Sequence, residues 1–192
     1  LVLYEAIAFK RSGQPEKAIT ALEQATYLIK KRKLKRRIQF ILAQMYQRKG
    51  DLKKASDLYE LIGKKATNYD LQFNAKINLA VTHDGNGNEV ISLLRKMLKD
   101  EKNKEYKDQI YYALAKVYER KGDEVNTISN YKKSAASSLK NQKQKGKAYL
   151  ALGDYYFEQP DYLSASNYYD SCLIALPKTH SSYTEIYEKN LS

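Results

Sequence analysis

Tryptophan is absent from this chain, cysteine occurs once and proline three times in 192 residues. A lone Cys172 closes no internal disulfide, so cysteine usage is silent on redox compartment. With so few prolines, long helices are free to form. No run of roughly 18 apolar residues occurs, which leaves no segment to span a bilayer as a helix. The two histidines, His83 in a turn and His180 in a loop, stand apart from any Cys, His or carboxylate cluster at ligand spacing. No metal site and no cofactor are expected. The stretch GNGN at residues 85–88 is not a phosphate loop, because no strand precedes it and no Lys-Ser/Thr pair follows. Nucleophile, base and orienter cannot be assembled from these residues, so neither an enzyme nor a small-molecule substrate is expected. The chain begins at Leu1 without an initiator Met or a signal peptide and is expected to be a fragment of a longer protein.

What is present is a pattern, clearest between Tyr149 and Pro177 in YLALGDYYFEQPDYLSASNYYDSCLIALP. Counted from Tyr149, the residues Leu152, Gly153, Tyr156, Pro160, Ala165, Tyr169, Cys172 and Pro177 fall at offsets 3, 4, 7, 11, 16, 20, 23 and 28. The first four positions share one face of a helix, a turn follows, and a second apolar face at 16, 20 and 23 is spaced to meet the first. Small residues at Gly153 and Ala165 let the two helices approach. This is the signature of the tetratricopeptide repeat. Cys172 falls at one of its small buried positions and reads as core.

The turn marker recurs as Gly13, Gly50, Gly85, Gly122 and Pro160, at intervals of 37, 35, 37 and 38 residues. The first repeat places Ala6, Phe9, Ala18, Leu22 and Ala25 in register; the second places Leu42, Ala43, Tyr46, Ala55, Tyr59 and Ile62, with Asp51 as an N-cap. In the third, Ile77, Val81, Val90, Leu94 and Met97 fit, but Asn78 stands where a small residue is preferred and the turn HDGNGNE is rich in Gly and Asn. The fourth returns to form with Tyr111, Leu114, Ala115, Tyr118, Thr127, Tyr131 and Ser134. After Pro177, Ser182 and Glu185 form a capping-box pattern for one more helix. The expectation is an all-α, right-handed α-solenoid of five tetratricopeptide hairpins, near 1–30, 36–65, 70–100, 108–139 and 146–177, with a C-terminal helix near 182–191, forming a single domain over 1–192.

Two surfaces are expected to carry function. Inward-facing offsets of the first helices give a partner-binding groove of Phe40, Gln44, Gln47 and Arg48, then Ala75, Leu79 and Thr82, then Tyr112, Lys116, Glu119 and Arg120, then Leu150, Asp154, Phe157 and Glu158. That mixture of aromatic, amide and charged side chains suits a protein or peptide. It lacks the Lys and Asn clamp for a C-terminal carboxylate, which Asp154 and Glu158 would repel. The second surface is the run KKRKLKRR, in which Lys30, Lys31, Arg32, Lys33, Lys35, Arg36 and Arg37 make seven of eight residues positive within a chain of net charge +12. It reads either as a nuclear-import signal or nucleic-acid contact, with the net charge also suiting an acidic partner, or as a solvated inter-repeat turn in which cations near a helix end suit its dipole. Most of the 18 tyrosines fill pattern positions, so they add little to a nucleic-acid reading.

A narrower likeness lies in NYDLQFNAKINLA (68–80), LLRKMLKDEKNKEYKDQIYYALAKV (93–117) and PDYLSASNYYDSCLIALPKTHSSYTEIYEKN (160–190). These segments resemble the tetratricopeptide lipoproteins of the PorW/SprE family of Bacteroidetes. The likeness runs from Asn68 to the end and departs at His83 to Asn88; residues 1–67 match mainly as repeats. It implies a periplasmic, outer-membrane-anchored adaptor that joins ring and motor components to the translocon in type IX secretion and gliding motility, without catalysis. The lipidated cysteine would lie upstream, and Cys172 is not it. In that setting the basic run becomes a contact for an acidic protein surface or an anionic envelope polymer. The alternative is a nucleic-acid-associated or generic regulatory repeat adaptor that uses residues 30–37.

Overall fold

A computed structural model describes Phe9 and residues 12–82 and 87–191. Ala6, His83 and Gly85 lie outside the described residues. Among those described, ten α-helices and no strands are found: α1 Pro15–Leu28, α2 Arg32–Lys49, α3 Leu52–Lys65, α4 Tyr69–Thr82, α5 Asn88–Lys99, α6 Lys107–Arg120, α7 Glu124–Ser137, α8 Gln142–Glu158, α9 Tyr162–Ala175 and α10 Tyr183–Leu191. The all-α helical solenoid class is therefore as expected.

The chain forms two compact units, 1–86 and 87–192. The boundary falls between the two helices of the expected third hairpin, the repeat with Asn78 at its small position. In the first unit, α1, α2, α3 and α4 pack in succession and α2 also touches α4. In the second, α5 to α10 pack in succession and α6 touches α8. Contact between alternate helices is what stacked hairpins require, since each first helix must cover the apolar edge of the hairpin before it.

Three of the hairpin turns follow one construction. Gly50 and Gly122 adopt left-handed φ of 86° and 69°. Behind each, an aspartate amide donates to the carbonyl five residues back, Asp51 to Tyr46 and Asp123 to Tyr118, both at 3.0 Å. This stops the first helix. The same aspartates start the second helix, their Oδ1 atoms accepting from the amides of Lys54 and Asn126 at 3.2 and 3.1 Å. At the last turn Asp161 repeats both bonds, to Tyr156 and from Ser164. There Pro160 takes the glycine slot with φ of 25°, far from the −65° its ring favours.

Between paired helices the repeat positions interlock. Tyr59, Tyr131 and Tyr169 on the second helices are essentially fully buried. Ala43, Ala115 and Gly153 lie sixteen residues before them on the first helices, all buried, and at Gly153 the Tyr169 ring comes so close that a Cβ would meet its Cε1 at 2.5 Å. Each tyrosine hydroxyl donates to a polar side chain on the facing helix: Gln47 at 2.8 Å, Glu119 at 3.2 Å and Asp154 at 3.0 Å. Burial of the ring is thus combined with a partner for its one polar atom.

The structure adds local detail and departs from some expectations. The helix α2 begins at Arg32, ahead of the expected repeat start near 36, because Arg, Lys and Leu are all good helix formers. Glu101–Tyr106 forms an unanticipated 3-10 helix, capped by Asp100, while buried Asn103 donates to the Met97 carbonyl at 2.8 Å and so satisfies the end of α5. Before α10, the amide that a capping box would give to Glu185, that of Ser182, donates instead to His180 Nδ1 at 3.2 Å. Ala75 and Thr82, expected on the groove, are buried in the first unit, at 0% and 2% exposure.

Candidate functional site

In the first unit, Phe40, Gln44, Gln47 and Arg48 lie along α2, with Leu79 on α4. Phe40 packs edge-on to Tyr59 with centroids 5.6 Å apart, Gln44 is half-buried and Arg48 is exposed. Gln47 is occupied by the Tyr59 hydroxyl. Leu79 rests half-buried against the core.

The second unit repeats the scheme on α6 and α8. Tyr112 packs edge-on to Tyr131 at 5.5 Å. Lys116 pairs with Glu119 at 2.7 Å while its ammonium lies 5.8 Å from the Tyr131 ring centre. Arg120 is exposed. Leu150 is half-buried beside Tyr169, and Asp154 accepts from Tyr169 and from Lys189 of α10 at 3.2 Å. Phe157 is 42% exposed and meets Tyr162, itself 61% exposed, edge-on at 5.5 Å.

These faces are rooted in the core. Phe40, Tyr112 and Leu150 all lie nineteen residues before a buried tyrosine. Burial pushes the Tyr112 phenol up to about 12, with the charges of Glu119 and Asp154 acting in the same direction. Burial likewise raises Tyr59, Tyr131 and Tyr169 above the usual phenol range. All stay neutral hydrogen-bond donors at physiological pH.

The basic run begins in the connector between hairpins and continues onto a helix, with most of its cations exposed. Lys30 lies in the connector and Lys31 precedes α2, whereas Arg32, Lys33, Lys35, Arg36 and Arg37 occupy its first two turns, the positive end of the helix. Arg32, Lys33, Arg36 and Arg37 line a cleft of about 420 Å³, closed by Lys65, Ala66, Thr67, Asn68 and Leu71. Lys30, Lys31 and Lys35 are outside that lining. Among the described residues, no ion pair joins any of its five cations to a carboxylate; Arg36 donates to Gln39 Oε1. Lys65, Thr67 and Asn68 could not be found by reading the run alone, because α2 and α3 separate them from it in sequence.

Sequence reading also missed a buried polar knot in the second unit. Asp108, 2% exposed at the start of α6, accepts from Ser138 Oγ at 3.2 Å and Asn141 Nδ2 at 3.1 Å. Its backbone carbonyl accepts from Ser134 Oγ at 2.7 Å. The knot ties α6 to the end of α7 and the start of α8, a structural task.

Among the described residues, no three His, Cys, Asp or Glu side chains come together as a metal ion would need. No helix among them is long and apolar enough to cross a membrane. No family model matches the chain. No curated protein matches it either. Among solved structures, the chain is similar to the crystal structure of BtubC (BKLC) from P. vanneervenii, with a TM-score of 0.46 and 18% identity, covering 96% of this chain and 67% of that one.

Proposed function

We propose that this chain is a non-catalytic protein-interaction scaffold that binds its partner on the face of the first helices. One observation supports this above others: in each unit that face carries partly exposed side chains braced by a buried tyrosine behind them, Phe40 on Tyr59 and Tyr112 on Tyr131. A braced surface loses little side-chain freedom on binding, so more of its contact energy appears as affinity. Exposed Arg48, Arg120 and Phe157 beside the braced positions add the charge and aromatic area that binding surfaces favour.

The resemblance of residues 68–190 to the PorW/SprE lipoproteins gives the proposal its setting. The partners are then ring, motor or translocon proteins of type IX secretion, met in the periplasm by a protein anchored to the outer membrane through an upstream lipidated cysteine. The test is affinity purification of the tagged protein from cell envelopes at moderate and high salt, followed by mass spectrometry. Recovery of secretion-ring or translocon proteins at both salts, lost in Arg120→Glu and Phe157→Ala variants, is expected. Recovery of nucleic acid alone, washed away at high salt, overturns the proposal.

A further inference from the structure

The basic cleft of the first unit works against its own helix. A helix N-terminus carries partial positive charge and favours anions, yet α2 opens on Arg32 and Lys33 with no acid in its first turn and no side-chain cap from Lys31. One turn on, Arg36 and Arg37 stack over these two at i,i+4 spacing, where like charges repel. No described carboxylate forms an ion pair with them, so the chain leaves the cost unrelieved. A local rule broken without internal compensation is the mark of a functional site rather than of a stabilising surface.

Residues distant in sequence complete the same cleft. Lys65 arrives from the last turn of α3, and Thr67 and Asn68 from the connector that follows. Asn68 caps α4 through its Oδ1, which accepts from the Leu71 amide at 2.9 Å, while its Nδ2 can donate. The polar lining is therefore guanidinium, ammonium, hydroxyl and amide, each able to donate, with no carboxylate.

The chemistry of the lining selects the anion. Three guanidinium groups offer planar forks for bidentate contact with phosphate oxygens, and five positive charges match an anion of several negative charges. At about 420 Å³ the space is that of a small-ligand site rather than of an extended polymer track. No aromatic residue lines it, so nothing there stacks a nucleobase. We propose that this cleft binds a compact, multiply charged oligophosphate, recognised through its phosphates, and that the bound anion neutralises the start of α2. The site is independent of the protein-binding face and stands or falls separately from it.

The test is isothermal titration of the whole chain with inorganic tripolyphosphate at fixed ionic strength. Saturable binding at one site is expected, weakened by about tenfold or more in each of Arg32→Glu and Arg36→Glu. Lys35→Glu, in the same run but outside the lining, should stay within about twofold of the parent, which separates a formed site from diffuse charge. Without ligand, Arg32→Glu should melt no lower than the parent, because an acid at the N-terminus of α2 suits its dipole; this excludes unfolding as the cause of lost binding. Equal losses in Lys35→Glu and Arg36→Glu overturn the proposal, as does equally tight binding of sulfate. Single-stranded RNA or anionic phospholipid vesicles binding where tripolyphosphate does not would also overturn it.

Discussion

Asp108 should be among the most costly side chains to remove from the second unit, although it touches no proposed ligand. Its Oδ2 accepts from Ser138 Oγ and Asn141 Nδ2 and its Oδ1 from the Gln109 amide at 2.8 Å, all at 2% residue exposure. Asp108→Ala removes every one of these acceptors. Ser138 can rely on its other contact, the Ser134 carbonyl at 2.9 Å, which leaves Asn141 Nδ2 and the Gln109 amide as the donors most exposed to loss. Asn141 is exposed and Gln109 half-buried, so water recovers part of each lost bond and about 1 to 3 kcal/mol in total is expected. Asp108→Asn keeps the Gln109 contact but turns an amide NH2 donor toward the Asn141 donor, and should cost about 1 to 2 kcal/mol. Urea unfolding reads the totals, and hydrogen exchange should show early opening at the start of α6 and of α8. An unchanged midpoint for Asp108→Ala, or a larger loss for Asp108→Asn, would refute the reasoning.

Four further outcomes follow from particular contacts. Gly153→Ala places a Cβ 2.5 Å from the buried Tyr169 ring; overpacking of about 1 to 3 kcal/mol should outweigh a helix-propensity gain of about 1 kcal/mol, so a raised urea midpoint would contradict the packing described. Pro160→Gly relieves a proline held at φ 25° and should stabilise the protein by about 1 to 3 kcal/mol, read as a higher melting temperature. Cys172 is fully buried, donates to the Gly146 carbonyl at 3.2 Å and has its thiol pushed up to about 11 by burial, so iodoacetamide at pH 8 should label it only in denaturant. Side-chain and backbone hydrogen bonds from Asn126 and Ser164 hold Asp123 and Asp161 below the ordinary carboxyl value of 3.8. Their contribution is complete above that value and lost as pH falls through the lower folded values, so acid melts of Asp161→Asn should show a shallower pH dependence than the parent.

The fold was legible because repeat residues act through spacing. Tyr59, Tyr131 and Tyr169 declare a buried second-helix face, and Ala43, Ala115 and Gly153 declare the matching close approach, so burial at all six follows from sequence. What each tyrosine hydroxyl would bond was not legible, since Gln47 and Glu119, both twelve residues before their tyrosines, differ in type, and Asp154 lies fifteen before its own. Those bonds redefine the expected groove: Gln47 and Asp154 serve the fold first, while Arg48 and Phe157 keep exposed surface on the first helices. The basic run was conspicuous, but its meaning depended on where α2 begins. A start at Arg32 turns a set of surface cations into one wall of a cleft, whose other wall is supplied by residues more than twenty-five positions away.

The claim that the first-helix face binds a protein partner is tested most directly by site-specific photo-crosslinking in the cell. A photoreactive amino acid would replace Gln44 on a first helix of the first unit or Phe157 on a first helix of the second, and in parallel Ile174, which is 87% exposed on the second helix α9. The account predicts a discrete crosslinked protein from Gln44 and Phe157 and none from Ile174. Crosslinking from Ile174 alone, or the same products from all three, would contradict it.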